Sequence, residues 1–222
     1  MLSDNENLTL YLLRHGESEA NVERVFAARK IDPPLSAIGR EQSKRQSKAL
    51  ALIEFDACYT SPLLRARQSA EILSQGIGQQ FTETKALMEV DVSILDGEPE
   101  NLSQNWSIYE DIVRKWENGL STACFPGGES LFDIEARVGA FLNTLEGMKR
   151  VLLLGHCLLF MCVIWIFTEN HGPTLEDGHM GRGHLSLLVK TEYGFRLQEF
   201  NRAPPDTLAE EGTIADEDKP YR

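Results

Sequence analysis

Apolar residues along this chain switch between two spacings. Short, nearly continuous apolar runs predict strands at 9–13, 56–60, 151–154, 185–190 and 195–200, with a weak one near 81–82. Helical spacing and start signals fill the gaps between them. Ser36 is placed to cap "AIGREQSKRQSKALALIEF", and Ser61-Pro62 reads as a cap followed by proline at the first helical position. Ser130 caps a third helix with Asp133 as its capping-box partner, and Leu131, Ile134, Val138, Phe141, Leu142 and Leu145 form one apolar stripe behind it. Strand-type and helix-type segments in alternation predict an α/β fold. The expected form is a three-layer α/β/α sandwich with a mainly parallel central sheet and helices on both faces. The last two strands are joined by "TEYG" and read as a hairpin, the second strand antiparallel at an edge.

The pattern weakens between residues 88 and 125, where Trp106, Tyr109 and Trp116 stand among charges. This segment is expected to be a helical excursion off the sheet, a lid or rim. Its three aromatic residues read as helix core before substrate cage. Residues 1–202 are expected to form one domain. From 203 to 222 the chain is acidic, proline-containing and poor in apolar residues, the composition of a disordered tail.

Composition narrows the function classes. Of 222 residues, 42% are hydrophobic, enough to fill a core, and the formal net charge of −12 opposes binding to nucleic acid or anionic lipid. Any positive site must therefore be a local pocket. The four cysteines (Cys58, Cys124, Cys157, Cys162) form no C-x-x-C pair and three lie in apolar runs. Together with a polar "MLSDNEN" start, they predict a cytoplasmic protein with reduced thiols. Residues 151–168 contain no formal charge over eighteen positions, the length of a spanning-helix candidate. Gly155-His156 divides that run into a strand and a buried helix, so no membrane span is expected.

Three strands end in chemically loaded turns: Arg14-His15, Thr60-Ser61-Pro62 and Gly155-His156. Carboxyl ends of parallel strands form the crevice in which open sheets bind ligands. Arg65, in the first turn of the next helix, points back toward the same edge, whereas Arg67 lies some 200° around the helix and faces solvent or a carboxylate. Two arginines and two imidazoles converging in an acidic protein suit an anion, phosphate above all. A neutral imidazole there is also a nucleophile.

These residues resemble the histidine phosphatase superfamily, the phosphoglycerate-mutase-like group. The likeness is carried by "LLRHGESEAN", "PLSAIGREQ", "YTSPLLRARQSAEIL", "LMEVDVSILDGEPENL", "PGGESL", "VLLLGHCLLF" and "GFRLQEFN", in the family's order over residues 8 to 201. The resemblance implies a phosphomonoester hydrolase. His15 is the expected nucleophile and forms a phosphohistidine, with Glu89 as general acid and then base. The competing carboxylates Glu83 and Asp91 fit the L-x-E pattern less well. Arg14, Arg65 and His156 are expected to hold the phosphoryl oxygens, Asn21 and Cys157 to add contacts, and Gly16, Glu17 and Ser61 to support them, Glu17 by orienting the basic cluster. No cofactor or metal is implied, and the expected partner is a small phosphorylated metabolite. A homodimer is one option for the oligomeric state.

Two rival readings stand beside this one: a cofactor-dependent phosphoglycerate mutase, and a non-catalytic module that binds phospho-ligands or proteins. The segment between Glu89 and Pro126 is shorter than dedicated mutases carry, and Glu17 stands where they usually have Gln. The chain also departs from the family at Gly155, Cys157 and Leu158, at Ser93, Leu95 and Asp96, at Ala27-Ala28 and at His184. "EDGHMGRGH" offers Glu176, Asp177, His179 and His184, but its spacing fits no strong metal pattern and it reads as a Gly-rich loop.

Overall fold

The computed structural model describes residues 7–204. The "MLSDNEN" start, apart from Asn7, and the acidic tail from 205 onward lie outside the described residues. Six strands form one mixed sheet: β1 (Thr9–Arg14), β2 (Ala57–Thr60), β3 (Thr82–Glu83), β4 (Arg150–Gly155), β5 (Leu185–Lys190) and β6 (Phe195–Arg202), in the order β3-β2-β4-β1-β5-β6. Strands β1 to β4 are parallel, with Leu10 opposite Val151 and Leu13 opposite Leu154 in the central pair. The helices are α1 (Glu19–Glu23), α2 (Ala37–Leu50), α3 (Leu64–Ile77), α4 (Ser103–Glu117), α5 (Leu131–Asn143) and α6 (Cys157–Phe167).

Strand alternation sorts the core into two layers. Leu10, Leu12, Val151 and Leu153 face one side, where they meet Ile134 and Val138 of α5 and the buried residues of α6. Leu13, Leu152, Leu154 and Cys58 face the other, against Leu50 of α2 and Ala70 and Leu73 of α3. Helices thus cover both faces, as the alternating pattern requires. Each fully buried leucine or isoleucine in these layers stabilises by about 2 kcal/mol. The uncharged 151–168 run is β4 followed by α6, and among the described residues no helix is long and apolar enough to cross a membrane.

The expected hairpin is present, with β6 antiparallel to β5 at the sheet edge, but the strand that runs against β1–β4 is β5. Helix α6 carries the chain down from the carboxyl edge of the sheet. Residues 168–184 then climb back to that edge, and Arg14 N–H donates to His184 O (3.0 Å) just before β5 begins. The strand must therefore descend, and β6 ascends beside it at the edge.

Helix α5 starts as its sequence predicts: Ser130 Oγ accepts from Asp133 N (3.2 Å), and the Asp133 carboxylate returns to Ser130 N (3.0 Å). Helix α3 does not start at Ser61-Pro62. Its first residue is Leu64, and the cap comes from far away, with both Asp32 carboxylate oxygens accepting from Leu64 N (2.8 and 2.9 Å). The Ser61 hydroxyl is committed elsewhere, to His156.

Candidate active site

Residues from the ends of β1 and β4 and from the first turn of α3 meet at the carboxyl edge. His15 follows β1 directly and is 4% exposed. Its Nδ1 is 2.6 Å from Gly16 O, an arrangement that puts the proton on Nδ1 and leaves Nε2 as the basic nitrogen. Arg65 Nε donates to that Nε2 at 3.3 Å. Burial, reinforced by Arg65 and Arg14, holds His15 well below the ordinary histidine pKa. His156 is fully buried 5.1 Å from His15, ring centre to ring centre, and burial likewise depresses it. Its Nε2 lies 2.8 Å from Ser61 Oγ, and Oγ also accepts from Leu63 N at 3.3 Å.

Close backbone approach fixes the first turn. A Cβ on Gly16 would stand 2.2 Å from Gly39 O, and one on Gly39 would stand 2.0 Å from Glu17 O. The glycines of "RHG" and "LSAIG" are therefore a contacting pair that joins β1 to α2 without a side chain between them. Gly155, where the family pattern has serine, has a different cause: a Cβ would lie 2.7 Å from the Phe160 ring.

Arg65 is 1% exposed and is clamped from two sides. Its Nη2 donates to Ala27 O (3.0 Å) and Ala28 O (3.1 Å), while Nη1 lies 3.6 Å from Asp32. The Ala27–Lys30 loop is held by Asp96, whose carboxylate accepts from Ala28 N (3.0 Å), Arg29 N (2.6 Å) and Lys30 N. Asp96 is 1% exposed. It stands out in sequence as a departure from the family pattern, yet it anchors the loop that anchors Arg65.

Four buried donors in or behind the cleft lining lack a hydrogen-bond partner: Arg14 Nε, Arg65 Nη1 and His156 Nδ1 around His15, and Trp106 Nε1 on the outer wall. Buried polar groups are ordinarily satisfied, so such a concentration marks a place built for an anion. Arg14 is otherwise used at Nη1, which donates to Met180 O and lies 3.1 Å from His179 Nε2.

Glu89 lies over the start of α6. Its Oε1 accepts from Val90 N (2.9 Å) and Leu159 N (2.8 Å), and Oε2 from Leu158 N at 3.3 Å. The segment that carries it is braced by the "PGGES" glutamate: Glu129 binds Arg29 (2.7 Å) and Arg137 (2.9 Å). Those arginines in turn donate to the carbonyls of Glu89, Ala86 and Met88.

Arg14, His15, Asn21, Arg65, Glu89 and Cys157 line one cleft. His156, Ser61, Gly16 and Glu17 lie behind that lining. Glu17 does not touch Arg14 or Arg65; it accepts from Ser36 Oγ (2.7 Å) and pairs with Arg182 (3.2 Å). Asn21 uses its carbonyl to accept from Ser18 N (3.0 Å), which leaves its amide nitrogen for the cleft. Arg67 pairs with Glu83 at the surface, removing that competitor of Glu89, and Asp91 accepts from Ser93 N (2.9 Å).

The residues 176–184 are dispersed: Glu176 pairs with Arg114, His184 binds Asn201, and His179 enters the cleft. Among the described residues no three His, Cys, Asp or Glu side chains are grouped to hold a metal ion. His179 was not legible as a site residue, because its neighbours Arg14 and Cys157 are remote in sequence. Cys157 Sγ lies 3.5 Å from His179 Nδ1 and accepts from Met180 N at 3.5 Å. Burial pushes this thiol up, but His179 and Arg14 outweigh it and bring it down to about 7. The aromatic residues divide. Trp116 is core, its Nε1 donating to Ala123 O (2.7 Å), whereas Trp106 and Tyr109 form part of the cleft wall and are not core alone.

Residues 10–203 match the family model of the histidine phosphatase superfamily, branch 1. The chain belongs to that superfamily. Curated relatives include a 2,3-bisphosphoglycerate-dependent phosphoglycerate mutase of Rhizobium rhizogenes, 39% identical over 150 residues, covering 65% of this chain and 69% of that protein. A probable phosphoglycerate mutase of Salmonella choleraesuis is 31% identical over 160 residues, 71% and 73% of the two chains. Among solved structures, the mycobacterial glucosyl-3-phosphoglycerate phosphatase superposes with a TM-score of 0.72, covering 88% of this chain and all of that one at 22% identity. A putative alpha-ribazole-5'-P phosphatase of Escherichia coli gives 0.70 at 20% identity, covering 88% and 96%. At such identities the superpositions speak for the fold: this superfamily member shares its α/β architecture with phosphatases and mutases alike.

Proposed function

We propose that this protein is a phosphomonoester hydrolase that works through a phosphohistidine on His15, with Glu89 as general acid and base. The observation that carries the reading is the set of three buried donors without a hydrogen-bond partner, Arg14 Nε, Arg65 Nη1 and His156 Nδ1, around an imidazole whose basic nitrogen is Nε2. Two guanidiniums supply the positive charge the phosphoryl group needs, so the reaction requires no metal.

In the first step His15 Nε2 attacks phosphorus in line. The bond from phosphorus to the ester oxygen breaks, and the leaving alkoxide takes a proton from Glu89. Glu89 Oε2 is the oxygen for this task, since Oε1 already accepts two amide hydrogen bonds. In the second step the Glu89 carboxylate takes a proton from water, the hydroxide displaces the imidazole, and inorganic phosphate leaves. Ser61 Oγ accepts from Leu63 N and directs its own hydrogen to His156 Nε2, which keeps the proton on Nδ1 as a donor to the phosphoryl group.

The mutase reading is favoured by the names of the curated relatives. A mutase holds a second anionic group outside the transferred phosphoryl. Here the only arginines or lysines lining the cleft, among the described residues, are Arg14 and Arg65, both at its phosphate end. The outer wall holds Phe26, Trp106, Tyr109, Val92 and Glu100 instead, which suits hydrolysis of a singly phosphorylated ester. The test is phosphate release from a panel of phosphomonoesters in excess chelator, beside His15→Ala and an assay for 2- and 3-phosphoglycerate interconversion. Chelator-resistant release that vanishes in the variant is the expected result. Interconversion faster than release would overturn the hydrolase reading in favour of the mutase.

A further inference from the structure

The cleft has a second end whose chemistry the phosphoryl step does not use. Phe26, Trp106 and Tyr109 make one continuous aromatic wall: Phe26 and Trp106 are 5.2 Å apart between ring centres, Trp106 and Tyr109 5.2 Å at 75°, and Phe26 and Tyr109 6.1 Å. Trp106 and Tyr109 come from one face of α4, three residues apart, while Phe26 comes from the loop that also grips Arg65. Glu100 lines the same space. Its backbone N–H is anchored to Arg24 O (2.8 Å), but its carboxylate accepts no hydrogen bond among the described residues.

A carboxylate that shares a cleft wall with three aromatic rings and accepts no hydrogen bond is an arrangement suited to an organic cation. Aromatic faces attract a cation, and a carboxylate supplies the counter-charge. Burial raises Glu100 and outweighs the pull of Arg14, Arg182, His179 and Arg24, so the protein's own cations offset its desolvation only in part. A ligand ammonium at this point would supply it. A second phosphate or carboxylate would instead meet Glu100 and the aromatic faces and be repelled.

We propose that the alcohol portion of the substrate carries a primary or methylated ammonium group, which sits against Phe26, Trp106 and Tyr109 with Glu100 as its counter-ion. This rests on the reading of the cleft as a phosphomonoesterase site. The substrate class is thus a zwitterionic amino-alcohol phosphate, as opposed to a sugar phosphate or a bisphosphate.

The experiment separates recognition from turnover. Binding of phosphocholine and of 3,3-dimethylbutyl phosphate, its isostere without the ammonium charge, is measured by calorimetry on His15→Ala, which retains Arg14, Arg65 and His156. A cation held by aromatic faces and a carboxylate predicts about tenfold tighter binding of phosphocholine. The same ratio should fall toward unity in the His15→Ala, Glu100→Gln double variant and be reduced by Trp106→Ala. Equal affinity for the two probes, or a preference that survives Glu100→Gln, would overturn the ammonium proposal. Phosphate release by the wild-type chain from either ester is read separately and tests the hydrolase reading. A cation preference in binding without any release would sink that reading while supporting the subsite.

Discussion

The two ends of the cleft are built in different ways. The phosphate end is anchored to β1, β4 and the start of α3, and its groups are buried: His15, His156, Arg14 and Arg65 are all under 7% exposed. Its positions are set by the ladder between β1 and β4 and by the Gly16–Gly39 contact. The outer end is carried by the 24–30 loop, the segment around Glu100 and α4, which reach the site through side-chain tethers such as Asp96 and Glu129. On the proposed reading, the attacking group rests on the sheet, while the groups that would meet the rest of the ligand rest on loops and on α4. Loops can be altered without disturbing the strands beneath.

The largest effect expected is at the phosphate end. His15→Ala should reduce phosphate release by at least about 10³-fold, measured as kcat under saturating ester, because the proposed covalent intermediate forms on its Nε2. A loss below tenfold would break the assignment. Gly39→Ala should come next, as a folding effect. The added Cβ would meet Glu17 O at 2.0 Å, backbone against backbone, and should cost about 3 kcal/mol or more in denaturant unfolding. A stability within 1 kcal/mol of wild type would mean that the β1–α2 contact is not the rigid joint described here.

Asp96→Ala tests whether the loop tethers matter to the phosphate end. It removes the acceptor for three backbone amides, so about 2 kcal/mol of stability should be lost. If Asp96 acts through the loop on Arg65, kcat should fall while Arg65→Ala adds little further loss in the double variant. Additive effects on kcat would separate the two ends.

Titration distinguishes the ends by sign. His15 and His156 are held below the ordinary 6.5, so between their folded pKa values and 6.5 the unfolded chain binds more protons than the folded one. Their contribution is complete above about 6.5 and is lost as the pH falls below it. Glu100 is raised above 4.5 by burial, so its contribution is present at acid pH and is lost as the pH rises through the raised value. Glu100→Gln should therefore raise the melting temperature at pH 7.5 relative to wild type and bring no such gain near pH 4. A gain of the same size at both would refute burial as the cause. The smallest change is one of labelling. With its pKa at about 7, Cys157 should be alkylated by iodoacetamide with a midpoint near that pH and be protected by phosphate, while Cys58, pushed up to about 12, stays unlabelled.

Local pattern carried much of the fold. The apolar run of β1 and the stripe of α5 with its Ser130–Asp133 box are near-neighbour properties, and the structure places both as expected. The same holds for Arg14-His15 and Gly155-His156, because a residue that follows a parallel strand must emerge at its carboxyl edge. Failures occurred where the deciding partner was distant. Ser61 looks like a helix cap until His156 claims its hydroxyl and Asp32 takes over the capping. Asp96 looks like a lost motif residue until the 28–30 amides arrive. Glu17 looks like a partner of the site arginines until Arg182 proves closer.

By itself, then, the sequence determined the alternating layers, the strand ends that present His15, His156 and Arg14, and the helix turn that returns Arg65. These follow from periodicity and from covalent adjacency, which act over a few residues. Only the tertiary structure decided that β5 descends, that His179 meets Arg14 across 165 positions, and that Glu100 shares a wall with Phe26, Trp106 and Tyr109. Those contacts depend on where a returning loop comes to rest, and that is set by the sum of packing and hydrogen bonding over the whole chain.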